Sequence, residues 1–171
     1  MTVNSAAERL VREFARRGLT IATAESLTAG LCAATIAEVP GASAVLRGGV
    51  IVYATELKHE LAGVSDETLR VHGPVAAKTA AELAEGAARR CDADVGVALT
   101  GVAGPDPQDG HPVGEVFIAI YDHARGARVE NLYPEFVRRA NEGEFAGLDK
   151  EQLRAKIRQF SVTRALEMAS A

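Results

Sequence analysis

Apolar residues recur at helical spacing from the start of the chain. Leu10, Val11 and Phe14 share one face, Asn4 or Ser5 can cap that helix, and Gly18 can end it. LTIATA, residues 19–24, is a short β-prone run, and a small-residue helix is expected over residues 30–39, closed by a Pro40-Gly41 turn. GGVIVYA, residues 48–54, reads as a buried strand. Thr55 can cap a short helix carrying Lys58. Ser65, with Thr68 near the third helical position, opens another that Gly73-Pro74 interrupts. An alanine-rich helix is predicted over residues 75–90. DVGVALT, residues 94–100, has the near-continuous apolar pattern of a strand covered on both faces. Residues 101–112, rich in Gly, Pro and Asp, form the longest loop in the core region. Residues 113–121 read as a strand, and a turn over 122–126 leads into a partner strand over 127–136. A polar irregular stretch over 141–147 precedes a closing helix over 148–168, with Leu153, Ile157, Phe160, Leu166 and Met168 available to the core.

Strands alternating with helices predict an α/β fold, a three-layer α/β/α domain around a mixed, largely parallel sheet. The chain, residues 1–171, shows no internal repeat and is expected to form a single domain. With aromatics at 5% and no tryptophan, its core must be built from Ala, Val, Leu and Ile. The formal net charge of −4 argues against nucleic acid as a partner. The densest basic stretch, Arg154 to Arg164 with Lys156 and Arg158, reads as the solvated side of a helix. Cys32 and Cys91 match no metal or CxxC spacing and sit in alanine-rich sequence, which points to a reducing, cytoplasmic setting. The first eighteen residues lack an apolar leader, and no apolar run is long enough to span a bilayer, so no membrane association is expected.

Polar residues gather at three places just after predicted strands: Ala24-Glu25-Ser26, Tyr53 through Lys58, and Thr100-Gly101. Open α/β sheets bind ligands where such loops converge. Ser26 lies between a strand and a helix, as a nucleophile elbow does, although G-x-S-x-G is absent. The start of that helix would offer amides to an oxyanion, and Gly30 would permit close approach of a ligand. Equally, Ser26 or Thr28 can serve only as a helix cap. A serine nucleophile needs a base. None of His59, His72, His111 and His123 has a clear triad partner, and His59 remains a minor candidate. Lys58 follows a strand by a few residues. Desolvated, it can act as a neutral base; solvated, it is an ordinary helix lysine. Tyr53 can relay a proton or be a core ring with its hydroxyl at the rim. The loop after Thr100-Gly101 could hold a phosphate through backbone amides, but no GKS or GKT is present, so a Walker-type site is disfavoured.

These residues resemble the C-terminal domain of competence/damage-inducible CinA proteins, whose stand-alone members include nicotinamide-nucleotide amidases. The resemblance rests on TAESLTAG (23–30), PGAS (40–43), GGVIVYATELK (48–58), HGPV (72–75), AEGAARR (84–90), LTGVAGPD (99–106) and PVGEVFIAI (112–120), in the family's order. It implies hydrolysis of nicotinamide mononucleotide to nicotinate mononucleotide and ammonia, with no metal or organic cofactor. By the same resemblance Ser26 is the nucleophile, Lys58 its base and Tyr53 an assisting group. Thr100 and Gly101 would then line the substrate site, Thr28 and Gly30 are further candidates for it, and a homodimer is expected because family members are often dimeric. The chain departs from the family where AES usually continues as CTGG: here the next residues are Leu27-Thr28-Ala29-Gly30. It departs again near the C-terminus, where a GDR-x-x-VR-like pattern becomes Gly147-Leu148-Asp149-Lys150-Glu151-Gln152-Leu153-Arg154, leaving Lys150 and Arg154 as the cations for a substrate phosphate. Residues 134–145 also look unlike the family. These departures keep three other readings in play: a catalytically silent nucleotide-binding module, an amidase for a different small amide, and a structural or interaction protein.

Overall fold

A computed structural model describes residues 4–171. Residues 1–3, the start of the segment read as carrying no leader, lie outside the described residues. The elements run α1 (Ser5–Arg17), β1 (Ile21–Glu25), α2 (Leu31–Ala37), a single 3₁₀ turn, β2 (Leu46–Ile51), α3 (Thr55–Glu60), α4 (Asp66–His72), α5 (Ala77–Arg90), β3 (Val95–Gly101), β4 (Val116–Asp122), β5 (Gly126–Asn131), α6 (Tyr133–Asn141) and α7 (Lys150–Ala169). The sheet order is β2-β1-β3-β4-β5. β1 pairs parallel with β2 and β3, whereas β3-β4 and β4-β5 are antiparallel. The expected mixed α/β sheet is therefore present, and three parallel strands bring their carboxyl ends to one edge.

The two faces of the sheet differ in side-chain size, and period-two alternation is the reason. Ile21, Val95, Val97, Leu99, Val116, Ile118 and Ile120 face α1, α2 and α7 in one core. Ala22, Ala24, Ala98 and Ala119 face α5 in the other. Small side chains let α5 approach the sheet closely. A Cβ on Gly96 of β3 would lie 1.8 Å from the Ala84 carbonyl oxygen. The same helix closes on the chain just after α3: a Cβ on Gly86 would lie 1.7 Å from the Ala62 carbonyl oxygen. Gly86 thus sets how near α3, and with it Lys58, can come to the sheet.

Local signals account for most element boundaries. Asn4 Oδ1 accepts from the amides of Ala6 and Ala7, and Gly18 ends α1 in the left-handed region at φ 65°. Ser65 caps α4 through the Thr68 amide. Asp149 and Gln152 form a reciprocal capping box that starts α7.

Three expectations are corrected. β2 is an edge strand paired only with β1, not a buried one, and its residues alternate between half-buried and exposed as successive side chains point to opposite faces. Thr55 is the first helical residue of α3, with Ala54 at the cap position and no side-chain cap. The strand expected over 127–136 stops at Asn131. The Asn131 side chain accepts from the Tyr133 amide and Pro134 takes an early position of α6, where a missing N–H costs nothing.

Gly86→Ala should lower unfolding stability by about 2–3 kcal/mol, the usual cost of forcing a methyl into a filled interior. Urea unfolding measures it, and an unchanged midpoint would show that α5 does not need this close approach.

Candidate active site

Ser26 follows the last residue of β1, and its amide donates to the Leu99 carbonyl at 2.9 Å, extending the β1-β3 pairing by one residue. A tight turn then leads into α2, with Ala29 and Gly30 both at positive φ, 49° and 96°. Glu25 holds this turn from below. Its side chain is fully buried. One carboxylate oxygen accepts from the Gly30 and Cys32 amides at 2.9 and 3.0 Å; the other accepts from the Ala33 amide at 2.8 Å and the Thr23 hydroxyl at 3.1 Å. Glu25 therefore takes the role of a helix N-cap for α2, which Gly30 has no side chain to fill.

Lys58 is 2% exposed, on the short helix α3. Its Nζ lies 3.1 Å from Ser26 Oγ and donates to the Val52 carbonyl at 2.8 Å. Among the described residues no carboxylate lies in ion-pair contact with it. Burial drives the ammonium down to about 8, against a smaller upward pull from Glu56. In the neutral form the contact reverses: the serine O–H donates to the amine lone pair, the arrangement required for proton removal.

The pair opens onto a cleft at the ends of the parallel strands. Leu27, Pro74, Val75, Val102 and Ala103 supply apolar wall, and Arg154 supplies a cation. Thr100 and Gly101 line it, though the Thr100 hydroxyl is fully buried and donates to the Pro74 carbonyl at 2.7 Å, bracing the wall. Arg154 reaches across the mouth to the Gly104 carbonyl and, at 3.0 Å, to the Tyr53 hydroxyl.

Several expected positions move. Tyr53 lines the cleft but is 57% exposed at its rim and bonds neither Ser26 nor Lys58. Thr28 and Gly30 lie behind the turn and do not line the cleft. The amides of Ser26 and Gly30, candidates for the oxyanion, are already donating to Leu99 and Glu25. Lys150 is exposed on the first turn of α7 and does not reach the cleft, whereas Arg154, one turn on, does. His59 turns to the Val64 carbonyl at 2.7 Å, away from the serine. Sequence reasoning passed over two residues. Glu25 could have been found as a carboxylate a few residues ahead of a helix that has no capping side chain. Arg158, read as solvated, instead donates to the Leu27 and Thr28 carbonyls at 3.0 and 2.8 Å. Nothing in its spacing marks that contact.

An α/β fold whose parallel strand ends bring a serine hydroxyl against a buried amine defines the class of this protein. The chain matches the CinA C-terminal domain model over residues 3–171 and belongs to that family. A protein of Geobacillus kaustophilus provisionally named competence-damage inducible is 47% identical over 116 residues, which make up 68% of this chain and 28% of that one. A Streptococcus thermophilus protein of the same name is 48% identical over 119 residues, again 28% of its length. The matched region is thus little more than a quarter of these curated relatives. The crystal structure of competence/damage inducible protein CihA from Agrobacterium tumefaciens superposes with a TM-score of 0.82 at 33% identity, covering 97% of this chain and 92% of that one. A CinA superfamily protein from Escherichia coli gives 0.80 at 28% identity, covering 98% and 90%.

Glu25→Gln should cost at least about 3 kcal/mol of stability, because an amide group must then face backbone donors. Equal urea midpoints for the two proteins would show that the carboxylate does not hold the turn. Lys58 also links stability to pH. The folded amine gives up its proton near 8, while an unfolded lysine keeps it to about 10.4. Across that window unfolding takes up a proton, so stability rises with pH. Lys58→Met should flatten this rise in urea titrations between pH 8 and 10, and an unchanged slope would place the effect elsewhere.

Proposed function

We propose that this chain is an amidohydrolase that converts nicotinamide mononucleotide to nicotinate mononucleotide and ammonia through an acyl-enzyme on Ser26. The observation that carries the reading is the 3.1 Å contact between Ser26 Oγ and a buried, readily neutral Lys58 at the floor of a cleft. Neutral Lys58 takes the hydroxyl proton as Oγ attacks the carboxamide carbon. The C–N bond then breaks, and the proton leaves with ammonia. A water molecule, activated by the same amine, cleaves the ester to release the carboxylic acid and restore Ser26.

Other features fit this substrate class. The apolar wall of Leu27, Pro74 and Val75 suits a flat pyridine ring, and Arg154 at the mouth suits a phosphate at the far end of the nucleotide. The Leu27 amide follows the nucleophile and, among the described hydrogen bonds, donates to no protein acceptor, which suits an oxyanion donor worth about 3 kcal/mol. Tyr53 at the rim holds Arg154 and contacts the nucleotide rather than the reacting atoms.

Ser26→Ala and Lys58→Met should each lower kcat by at least about 10³-fold while the thermal midpoint stays within a few degrees, assayed as ammonia release from nicotinamide mononucleotide. For the unmodified protein kcat/KM should rise about tenfold per pH unit up to the Lys58 titration at about 8, then level, since only the neutral amine accepts the proton. Near-normal turnover by Ser26→Ala would end the covalent scheme. Tight binding of the nucleotide without ammonia release would favour a silent binding module.

A further inference from the structure

The turn that carries Ser26 is held from two sides. Glu25 grips its amides beyond Ala29, and Arg158 of α7 grips its carbonyls before it. Arg158 Nε donates to the Leu27 carbonyl and a terminal nitrogen donates to the Thr28 carbonyl, a fork on two consecutive peptides. Among the described residues Arg158 has no carboxylate within ion-pair distance, so its charge acts on these two oxygens. It does not line the cleft.

Peptide planarity carries the constraint toward the serine. In a trans peptide the N–H points opposite the C=O, so fixing a carbonyl fixes the next amide. Holding the Leu27 carbonyl orients the Thr28 amide, and holding the Thr28 carbonyl orients the Ala29 amide. The Ala29 amide donates to the Ser26 carbonyl at 3.0 Å, which in turn fixes the plane containing the Leu27 N–H. A guanidinium at the head of such a chain also polarises each successive donor.

We infer that Arg158 is a positioning residue for the nucleophile: through the Leu27 and Thr28 carbonyls it sets the direction and strength of the Leu27 amide that receives the oxyanion. This rests on the serine-nucleophile reading given above, but its test does not depend on the substrate. A fluorophosphonate is the probe: a Ser26 Oγ–P bond forms, the P–F bond breaks, fluoride leaves and Lys58 takes the proton, with negative charge building on the phosphoryl oxygen. Labelling is followed by intact-protein mass spectrometry, with Ser26→Ala as the site control.

Arg158→Met should slow labelling and lower kcat for nicotinamide mononucleotide by about 30-fold. KM should stay within twofold, and the pH inflection set by Lys58 should not move. Arg158→Lys, which can reach one carbonyl but not both, should fall between the two proteins. Labelling of Arg158→Met at the normal rate overturns the inference. So does a loss in which KM and the pH inflection move together with kcat, the signature of a disturbed fold. If Arg158→Met does not fold, Arg158→Lys decides: labelling at the normal rate overturns the inference, and a slowed rate with an unmoved inflection supports it. Normal labelling of the unmodified protein without ammonia release would refute the substrate assignment, and the variant's labelling rate would still decide the role of Arg158.

Discussion

Glu25 has no contact with water and is surrounded by donors: three backbone amides and a hydroxyl on two oxygens. Burying a carboxylate costs several kcal/mol unless hydrogen bonds take the place of its hydration. Here they do, and each one comes from the turn and helix that follow Ser26 or from the strand that precedes it. The constraint settles several things at once. β1 must end at Glu25, α2 must begin close enough for its amides to reach back, and the residues between must cross into the left-handed region at Ala29 and Gly30. Ser26 is presented at the strand end because this carboxylate sits beneath it. The helix N-terminus, which in many sites is left to a ligand, is occupied by the protein itself.

The lysine is placed by a different device. α3 is only six residues long and has no capping side chain, so it cannot hold its own orientation. Its position comes from outside: Val52 runs into the core, and the glycine face of α5 closes on the chain at Ala62. The small-residue face of the sheet is what lets α5 come that near. Large aliphatic side chains on the opposite face build the main core, and the alanines on this one set a distance. A shift of α3 outward would hydrate the amine, move its titration back up toward that of a free lysine and break the contact with Ser26, so the packing of α5 bears on the protonation of Lys58.

The fold class was legible because alternation of strand and helix patterns, glycine stops and polar caps each act over a few residues. The convergence of Ser26, Lys58 and Thr100-Gly101 was also legible, since parallel strands bring their carboxyl ends to one edge. The illegible contacts of the site have one thing in common: they join residues far apart in the chain through backbone atoms. Arg158 bonds carbonyls and the Thr100 hydroxyl bonds the Pro74 carbonyl, and a backbone group leaves no mark in the sequence. Thr28 and Gly30 were assigned to the ligand for the same reason; their residue types do not say on which side of the turn they fall. The edge position of β2 depended on strand order, which an apolar run does not reveal. The start of α6 took the last few residues of an expected strand because one asparagine and one proline outweighed the apolar pattern there.

The distribution of cations gives the site its polarity. Several arginines on the helical surfaces face carboxylates: Arg16 with Glu13, Arg89 with Glu85, Arg138 with Glu142, Arg164 with Glu130 and Glu167. Arg154 and Arg158 differ. Each bonds only neutral oxygens, carbonyls or a phenol, and among the described residues neither has an ion-pair partner. A guanidinium held by neutral acceptors keeps its field available to whatever enters beside it. Arg154 turns that field into the mouth of the cleft, and Arg158 turns it into the backbone of the turn that carries Ser26. When Lys58 loses its proton, near 8, the positive charge that remains lies at the rim and behind the turn and not beside Ser26. On the proposed reading, this arrangement favours an anionic group at the mouth of the cleft and leaves the serine-lysine contact to burial alone.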